Sequence, residues 1–374
     1  MVAHVDSAAD LANFDDEVGI DDLLRIMVER GASDLHIKVG CAPMIRIDGE
    51  LTPATYEMMT PERVRNLCES ILTDEQKARF VADRELDLAY SVPGLSRFRV
   101  NIYLQRGSWA AAMRVIPSRP LTLEELKMPP IVADLSLRPR GLVLVTGPTG
   151  SGKSTTLAAM INHINENRRC HIVTCEDPIE FIHKDKNSVI SQREIGADTL
   201  SFAAALKHVL RQDPDVILIG EMRDYETTSI AISAAETGHM VFATLHTNSA
   251  ASTVDRVIDV FPTHQQQQIR MQVSVCLEGV LCQNLLPKAS GSGRVMAMEV
   301  MPVIPAVRNL IREGKTHQIP TTIQTHRGIG MQSFDSCLVK LYKRGLITYD
   351  VAIAKAHSAE DVARMVESED EDLD

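Results

Sequence analysis

The amino-acid sequence predicts an α/β protein in which a smaller α+β domain precedes a parallel-sheet domain. The chain has 374 residues, which is more than one hydrophobic core usually accommodates. Apolar and polar residues alternate with a period of two in the first third, as in an antiparallel sheet with one solvated face. Later segments are continuously apolar and are separated by helix-length stretches, as in a parallel sheet covered on both faces.

Helix and hairpin signals define the first domain. An apolar stripe over residues 20–28 predicts a helix, Thr60-Pro61 opens a second, and a capping box over residues 73–76 opens a third. Alternating segments predict strands at residues 35–39, 44–51, 97–103 and 109–116, with a hairpin turn at Asp48-Gly49.

Composition sets the domain boundaries. Pro117 and Pro120 mark a short, stiff linker. The predicted parts are a first domain at residues 1–118, of which 1–16 are flexible, a second domain at 119–366 that includes C-terminal helices, and an acidic tail at 367–374.

Four continuous apolar runs predict the strands of the second domain, at residues 142–146, 172–175, 216–219 and 240–245. In parallel sheets of this kind, ligands bind beyond the carboxyl ends of the strands. The pattern weakens towards the C-terminus, where we expect helices at residues 265–281 and 334–344.

The most specific motif follows the first of these strands and reads Gly-Pro-Thr-Gly-Ser-Gly-Lys-Ser over residues 147–154. Its glycines let consecutive N–H groups point inward, and the following helix N-terminus adds positive partial charge, so the expected guest is a polyphosphate. Lys153 can reach the β and γ phosphates, and the Ser154 hydroxyl can ligate Mg²⁺. ATP and Mg²⁺ are the expected cofactors. The expected nucleotide contacts here are Gly147, Pro148, Thr149, Gly150, Ser151, Gly152, Lys153, Ser154 and Thr155.

Polar residues follow the three other predicted strands. Glu176 and Glu221 come directly after two of them, and one carboxylate would hold Mg²⁺ and its waters while the other polarises the attacking water. By analogy with RecA-like motors, we favour Glu176 as the activator of water and Glu221, with Ser154, as the metal-shell residue; the opposite assignment is the alternative. His246, after the last strand, either senses the γ-phosphate or caps the surface.

Hydrolysis also needs positive charge on the γ-phosphoryl oxygens in the transition state, beyond that of Lys153. The candidates lie on or between the last strands of the first domain, and they are Arg97, Arg99, Arg106 and Arg114. Each is either catalytic or part of a solvated strand face. Their use in a neighbouring subunit's site would require a ring of subunits.

Composition weighs against several other classes of protein. A formal net charge of −11 and an aromatic content of 4% disfavour binding to single-stranded nucleic acid. Seven scattered cysteines without a C-x-x-C pair disfavour structural zinc and fit a reducing compartment. No apolar run reaches about 18 residues, and no signal peptide is recognisable, so we expect a cytosolic protein.

Further stretches complete a recognisable set. They are residues 31–36 (GASDLH), 97–101 (RFRVN), 176–181 (EDPIEF), 192–196 (QREIG), 210–215 (LRQDPD), 220–224 (GEMRD) and 238–248 (GHMVFATLHTN). With the phosphate loop, they resemble the type IV pilus retraction ATPases, the PilT family, within the type II/IV secretion ATPase superfamily. Residues 306–313 (AVRNLIRE) look like the retraction-specific C-terminal box. Asn284 is a departure, since the family usually has Gln-Arg-Leu at residues 283–285.

The resemblance implies a homo-hexameric ring whose subunits have a PAS-like first domain and a RecA-like second domain, with ATP at the domain and subunit interfaces. It implies that Arg99 and Arg114 face the phosphates and that His239 and His246 belong to a His box at the nucleotide. Hydrolysis would turn an inner-membrane platform protein of the pilus machinery, depolymerising the pilus and powering twitching motility. The ring would be cytoplasmic and recruited to the inner membrane at the pilus base, without membrane insertion or a nucleic-acid partner.

Three alternatives remain at this stage. One is a pilus assembly or type II secretion ATPase of the same superfamily, although those proteins typically carry a longer N-terminal region and a four-cysteine zinc module. Another is a nucleic-acid translocase, because RecA-like rings also move DNA. The third is a nucleotide-switched interaction protein that scarcely hydrolyses ATP, against which the two glutamates and the arginines argue.

Overall fold

The computed structural model describes residues 18–47, 49–55, 57–117 and 119–368. The predicted flexible segment 1–16, most of the predicted tail and Asp48 of the predicted hairpin turn lie outside the described residues. The chain divides into two compact units, Met1–Ser118 and Arg119–Asp374.

In its described part, the first unit is a six-stranded antiparallel sheet, and three helices pack against it. The helices are α1 (Ile20–Glu29), α2 (Pro61–Glu69) and α3 (Asp74–Asp83). The strands are β1 (Asp34–Lys38), β2 (Met44–Ile47), β3 (Glu50–Pro53), β4 (Glu85–Val92), β5 (Ser96–Gln105) and β6 (Ser108–Ile116), in the sheet order β3-β2-β1-β6-β5-β4. The predicted α+β architecture is confirmed.

Local chemistry accounts for the helices of this unit. Thr73 and Gln76 form the predicted capping box, because each side chain accepts a hydrogen bond from the other residue's backbone N–H. The hydroxyl of Thr60 accepts from the backbone N–H of Arg63, and Pro61 occupies the first turn of α2. Strand β4 was not predicted, because its acidic residues have low strand propensity; it forms by pairing with β5 along its whole length.

The second unit is built around a seven-stranded sheet in the order β13-β12-β7-β11-β10-β8-β9 among the described residues. All neighbouring pairs are parallel except β12 and β13. The strands are β7 (Gly141–Thr146), β8 (His171–Glu176), β9 (Val189–Glu194), β10 (Val216–Ile219), β11 (Met240–Leu245), β12 (Leu277–Pro287) and β13 (Arg294–Pro302).

Helices cover both faces of this sheet, and β7, β10 and β11 are buried along their whole lengths. The helices are α4 (Ile131–Ser136), α5 (Lys153–Asn167), α6 (Phe202–Val209), α7 (Tyr225–Glu236), α8 (Ala250–Asp259), α9 (Thr263–Cys276), α10 (Pro305–Glu313), α11 (Ile319–Thr325), α12 (Phe334–Lys343), α13 (Tyr349–Lys355) and α14 (Ala359–Glu367). Continuous apolar strands therefore produced the expected parallel sheet.

The prediction of one helix over residues 265–281 is wrong at its C-terminal end. Helix α9 ends at Cys276, and the chain continues directly as β12. The physical reason is tertiary: β12 pairs with β7 on one side and β13 on the other, so inter-strand hydrogen bonds override the local helical spacing. The predicted helix at 334–344 is present as α12. Strands β9 and β13 were not predicted.

The register of the central strands determines where their polar ends lie. Leu245 of β11 is opposite Thr146 of β7, and Ile219 of β10 is opposite both Ala243 of β11 and Cys175 of β8. The carboxyl ends of these four strands therefore lie along one edge of the sheet, which is the edge where parallel sheets bind ligands.

No helix within the described residues is long and apolar enough to cross a bilayer. The same residues contain no cluster of His, Cys, Asp and Glu that could hold a metal ion by itself. None of the seven cysteines forms a disulfide.

Candidate active site

The phosphate loop joins β7 to α5 and depends on three glycines with positive φ. Gly147 has φ +141°, Gly150 +78° and Gly152 +89°, a region that other residues rarely adopt. A Cβ added at Gly147 would lie 2.2 Å from the backbone oxygen of Gln283. The loop consequently tolerates only glycine at this close approach to β12.

The polar groups of the loop are arranged to bind an anionic ligand. The Lys153 ammonium donates to the backbone oxygens of Gly147 (2.8 Å) and Pro148 (3.2 Å). Burial lowers its pKa, against the attraction of Glu221 and Glu180. The Ser151 hydroxyl is buried and has no hydrogen-bond partner among the described residues. Ser154 and Thr155 follow in the first turn of α5 and are half-buried. A glycine-rich loop with Lys153 and a helix N-terminus fits a nucleoside triphosphate with its divalent ion.

Glu176 ends β8 and is held by two neighbours. The Thr174 hydroxyl donates to its Oε1 at 2.7 Å, and the Gln192 amide donates to the same oxygen at 3.2 Å. Burial raises the pKa of Glu176, although these hydrogen bonds oppose the shift. The pKa of this carboxyl group therefore lies above that of an ordinary glutamate.

Glu221 follows β10 and has the opposite electrostatic environment. Its Oε1 lies 2.7 Å from Nε of Arg223 and 3.1 Å from Nε2 of His246. Burial tends to raise the pKa of Glu221, but Arg223 and His246 together lower it. Glu221 therefore favours its ionised form more strongly than an ordinary glutamate does.

The structure brings Glu176, Glu221 and His246 to the same sheet edge as the phosphate loop, as expected from the strand ends. His239 is elsewhere. It precedes β11, and its backbone oxygen accepts from Gly141 at the start of β7. The six-residue strand puts it about 20 Å from the loop edge. Within one chain, His239 and the phosphate loop are thus at opposite edges, and its ring Nδ1 is 3.0 Å from the backbone oxygen of Ala234.

Arg99 and Arg114 belong to the sheet of the first unit. Arg114 donates to the buried Asp34 on the neighbouring strand, with 2.7 Å between Nε and Oδ1. Arg46 also reaches this carboxylate, at 4.0 Å. Burial raises the pKa of Asp34, but Ser33 and Arg114 lower it overall. Arg99 is exposed on β5. The approach of Arg99 and Arg114 to a nucleotide stays a prediction.

Sequence reasoning missed three residues that support the site. Thr174 and Gln192 hold Glu176, and Gln283 lies against the phosphate loop, where its amide donates to the backbone oxygen of Ser151 at 2.8 Å. Gln192 could have been found from its place in the Gln192-Arg193-Glu194 stretch. Gln283 matches the first position of the Gln-Arg-Leu segment of the PilT family, but nothing local shows which atoms Gln283 or Thr174 contacts, since these partners depend on the fold.

Comparison with known proteins identifies the family. The model described as "Type II/IV secretion system protein" matches residues 17–371. The type IV pilus retraction ATPase PilT of Pseudomonas aeruginosa is 49% identical over 337 residues, which are 90% of this chain and 98% of that protein. A twitching motility protein of Neisseria gonorrhoeae is 50% identical over 323 residues, covering 86% of each chain.

A solved structure agrees with these sequence relatives. The crystal structure of the pilus retraction motor PilT with bound ADP superposes with a TM-score of 0.87 at 44% identity, covering 93% of this chain and 100% of the other. The predicted two-domain fold and the predicted class of retraction ATPase are confirmed by these similarities. The chain therefore belongs to the type II/IV secretion system protein family.

Proposed function

We propose that this chain is an ATP-hydrolysing motor that powers retraction of type IV pili. The observation that carries the proposal is geometric: Glu176 and Glu221 follow β8 and β10, whose carboxyl ends share one sheet edge with the phosphate loop after β7. The opposite directions of their pKa shifts fit a proton-accepting role for one and a charge-stabilising role for the other. The near full-length similarity to a retraction ATPase supports the biological assignment.

Binding is the task of the loop and Lys153. Backbone N–H groups of the curled loop and the N-terminus of α5 would hold the phosphate oxygens. The Lys153 ammonium is held at 2.8 Å from the Gly147 oxygen and can exchange this contact for a phosphate oxygen. Its neighbours Gly147, Pro148, Thr149, Gly150, Ser151, Gly152, Ser154 and Thr155 complete the proposed nucleotide contacts.

Hydrolysis is the task of Glu176. We assign it to orient the attacking water and accept its proton, because burial raises its pKa while Thr174 and Gln192 fix one of its oxygens. The backbone N–H of Glu180 also hydrogen-bonds this carboxylate. Mg²⁺, when bound, neutralises phosphate charge, and Ser154 and Glu221 are the residues that would hold it, partly through water. His246, bonded to Glu221, would report on the γ-phosphate.

The motor would work as a homo-hexamer. In such a ring Arg99 and Arg114 would supply positive charge to the phosphates, and His239, remote from its own loop, would act at an interface with another subunit. Closing on ATP and reopening after hydrolysis would turn an inner-membrane platform protein of the pilus machinery. The ring would operate in the cytoplasm at the pilus base.

The biochemical test compares Glu176→Gln with the wild-type protein. We expect the variant to bind MgATP with similar affinity and to turn it over at least about a hundredfold more slowly, because a neutral amide cannot accept the proton. Titration calorimetry measures binding, and phosphate release measures turnover. Glu360, exposed on α14, provides the control Glu360→Gln, for which turnover should stay within a factor of a few. Normal turnover by Glu176→Gln would transfer the role to Glu221.

The biological test is deletion of the gene. Cells should keep surface pili but lose twitching, since retraction fails while assembly continues. Loss of pili would instead favour an assembly ATPase, and loss of secretion with normal twitching a type II secretion ATPase. Stimulation of ATP turnover by DNA, with salt-dependent binding, would favour a translocase.

A further inference from the structure

The carboxyl end of β12 packs against the phosphate loop. Strand β12 runs parallel to β7, and their last paired residues are Cys282 and Thr146. Gln283 therefore lies beside Gly147, at the point where the loop leaves the sheet. Its backbone oxygen makes the close approach that requires glycine at position 147.

The Gln283 side chain is 2% exposed and uses both ends of its amide. Its Nε2 donates to the backbone oxygen of Ser151 at 2.8 Å, and its Oε1 accepts from the Thr156 hydroxyl at 2.9 Å. It thereby bridges the loop and the first turns of α5. The same Nε2 lies 3.2 Å from the position of a Cβ at Gly152, so the amide packs directly under the loop.

Holding the Ser151 oxygen has a consequence for the next amide. In a planar trans peptide, the C=O of one residue and the N–H of the next point in opposite directions. A Ser151 oxygen fixed against Gln283 therefore directs the Gly152 N–H away from β12, into the concave side of the loop. Inward-pointing N–H groups are what bind phosphate in such loops.

We propose that Gln283 is a positioning residue for nucleotide binding, which orients the Ser151–Gly152 peptide so that its N–H faces the phosphates. Removing this buried amide would leave the Ser151 oxygen and the Thr156 hydroxyl without their partner, so its loss also lowers stability. The geometry assigns Gln283 an effect on nucleotide affinity that is measurable in the folded protein, in addition to this effect on stability. The inference rests on nucleotide binding in this loop, as in the proposed function.

The test compares Gln283→Met, which keeps the shape and loses both hydrogen bonds, with the wild-type protein. The ADP affinity of the folded variant, measured by titration calorimetry, should fall on the order of tenfold. The urea midpoint of unfolding should fall as well, because the Ser151 oxygen and the Thr156 hydroxyl lose their partner. Leu281→Met, a buried control on the same strand, should bind ADP as the wild type does. An unchanged ADP affinity in folded Gln283→Met, or a lowered urea midpoint with affinity intact, would overturn the proposal.

Thr156 supplies a second, milder pair of variants should Gln283→Met fail to fold. Thr156→Val removes the hydroxyl that anchors the Gln283 amide, whereas Thr156→Ser keeps it. We expect weaker ADP binding for the first and near wild-type binding for the second; equal affinities would count against the proposal. In the double variant Gln283→Met/Thr156→Val, the loss should not exceed that of Gln283→Met, and additive losses would contradict the bridge. If the wild-type chain itself failed to bind ADP, the proposed function would fail instead.

Discussion

Arg99 on β5 lies directly opposite Arg114 on β6 in the antiparallel register. Like charges in this arrangement destabilise a sheet. Arg114 is compensated by Asp34, its register partner on the other side. Arg99 has the Arg114 guanidinium opposite it in the register. Two adjacent guanidinium groups are an arrangement that would suit binding of an anionic ligand.

The first prediction separates stability from activity at this pair. Arg99→Gln should leave the unfolding midpoint unchanged or raise stability by a few tenths of a kcal/mol, while lowering ATP turnover at least about a hundredfold. Urea unfolding and phosphate release measure the two effects. Exposed Arg79, paired with Asp83 on α3, provides the control Arg79→Gln, which should not change turnover. Full activity in Arg99→Gln would remove it from the catalytic residues.

The second prediction concerns the pH dependence of turnover. Burial raises the pKa of Glu176, and the Thr174 hydrogen bond opposes that shift. The base must be ionised, so turnover should fall as pH decreases through this raised pKa. Thr174→Val removes the opposing bond, and the acid limb of the kcat profile should move to higher pH. Thr228→Val, at a buried threonine bonded to the Asp224 backbone oxygen, should leave the limb in place. An identical limb in Thr174→Val and wild type would rule out Glu176 as the titrating base.

The third prediction concerns stability and pH at His183. Burial lowers the pKa of its imidazole from 6.5 to about 4, with a further contribution from Lys186. The unfolded chain therefore binds more protons between pH 6.5 and 4, and the native state loses stability as pH falls through this window. Across that range, the free energy of unfolding of His183→Gln should fall by about 1–3 kcal/mol less than that of the wild type. Urea unfolding at pH 7 and pH 5 measures the difference, and parallel losses would contradict it.

The fourth prediction gives a structural role to Arg308, within the retraction-like box on α10. Its guanidinium donates to the backbone oxygens of Ser274 (3.0 Å) and Val275 (2.6 Å) at the end of α9, and to Glu278 (2.8 Å). Arg308→Gln should lower the free energy of unfolding by about 1–3 kcal/mol, as measured by urea unfolding, because it leaves these helix-end carbonyls and Glu278 without their partner.

The control for Arg308 is Asn309→Ala, at an exposed position of the same helix, whose urea midpoint should match that of wild type. Equal stability of Arg308→Gln and wild type would show that the capping contacts contribute nothing measurable.

The fifth prediction tests the tight approach at Gly147. A Cβ there would meet the Gln283 oxygen at 2.2 Å, and φ is +141°. Gly147→Ala should displace the loop and weaken ADP binding at least about tenfold. Gly328→Ala, where a Cβ meets nothing within 4 Å, is the matched control. Titration calorimetry on both variants decides, and wild-type affinity in Gly147→Ala would contradict the rigid cradle.

Much of this site could be predicted from the sequence, because the relevant chemistry is local. The glycine spacing of residues 147–152 predicts the curled loop. Glu176 and Glu221 come directly after buried strands, and neighbouring parallel strands share an edge for their carboxyl ends. The sequence by itself therefore determined the phosphate loop, the two carboxylates and the helix that follows the loop.

Tertiary structure decided the remainder. Residues 277–281 became part of a strand because β7 and β13 supply hydrogen-bond partners, and His239 came to lie at the far edge from the loop. Thr156 and Gln283 are 127 positions apart in the sequence, so no local pattern could predict the hydrogen bond between them. The pKa values of the two glutamates diverge because folding buries one and pairs the other with cations. Burial and long-range pairing exist only once the chain has folded, and these decide which residues act and which hold them in place.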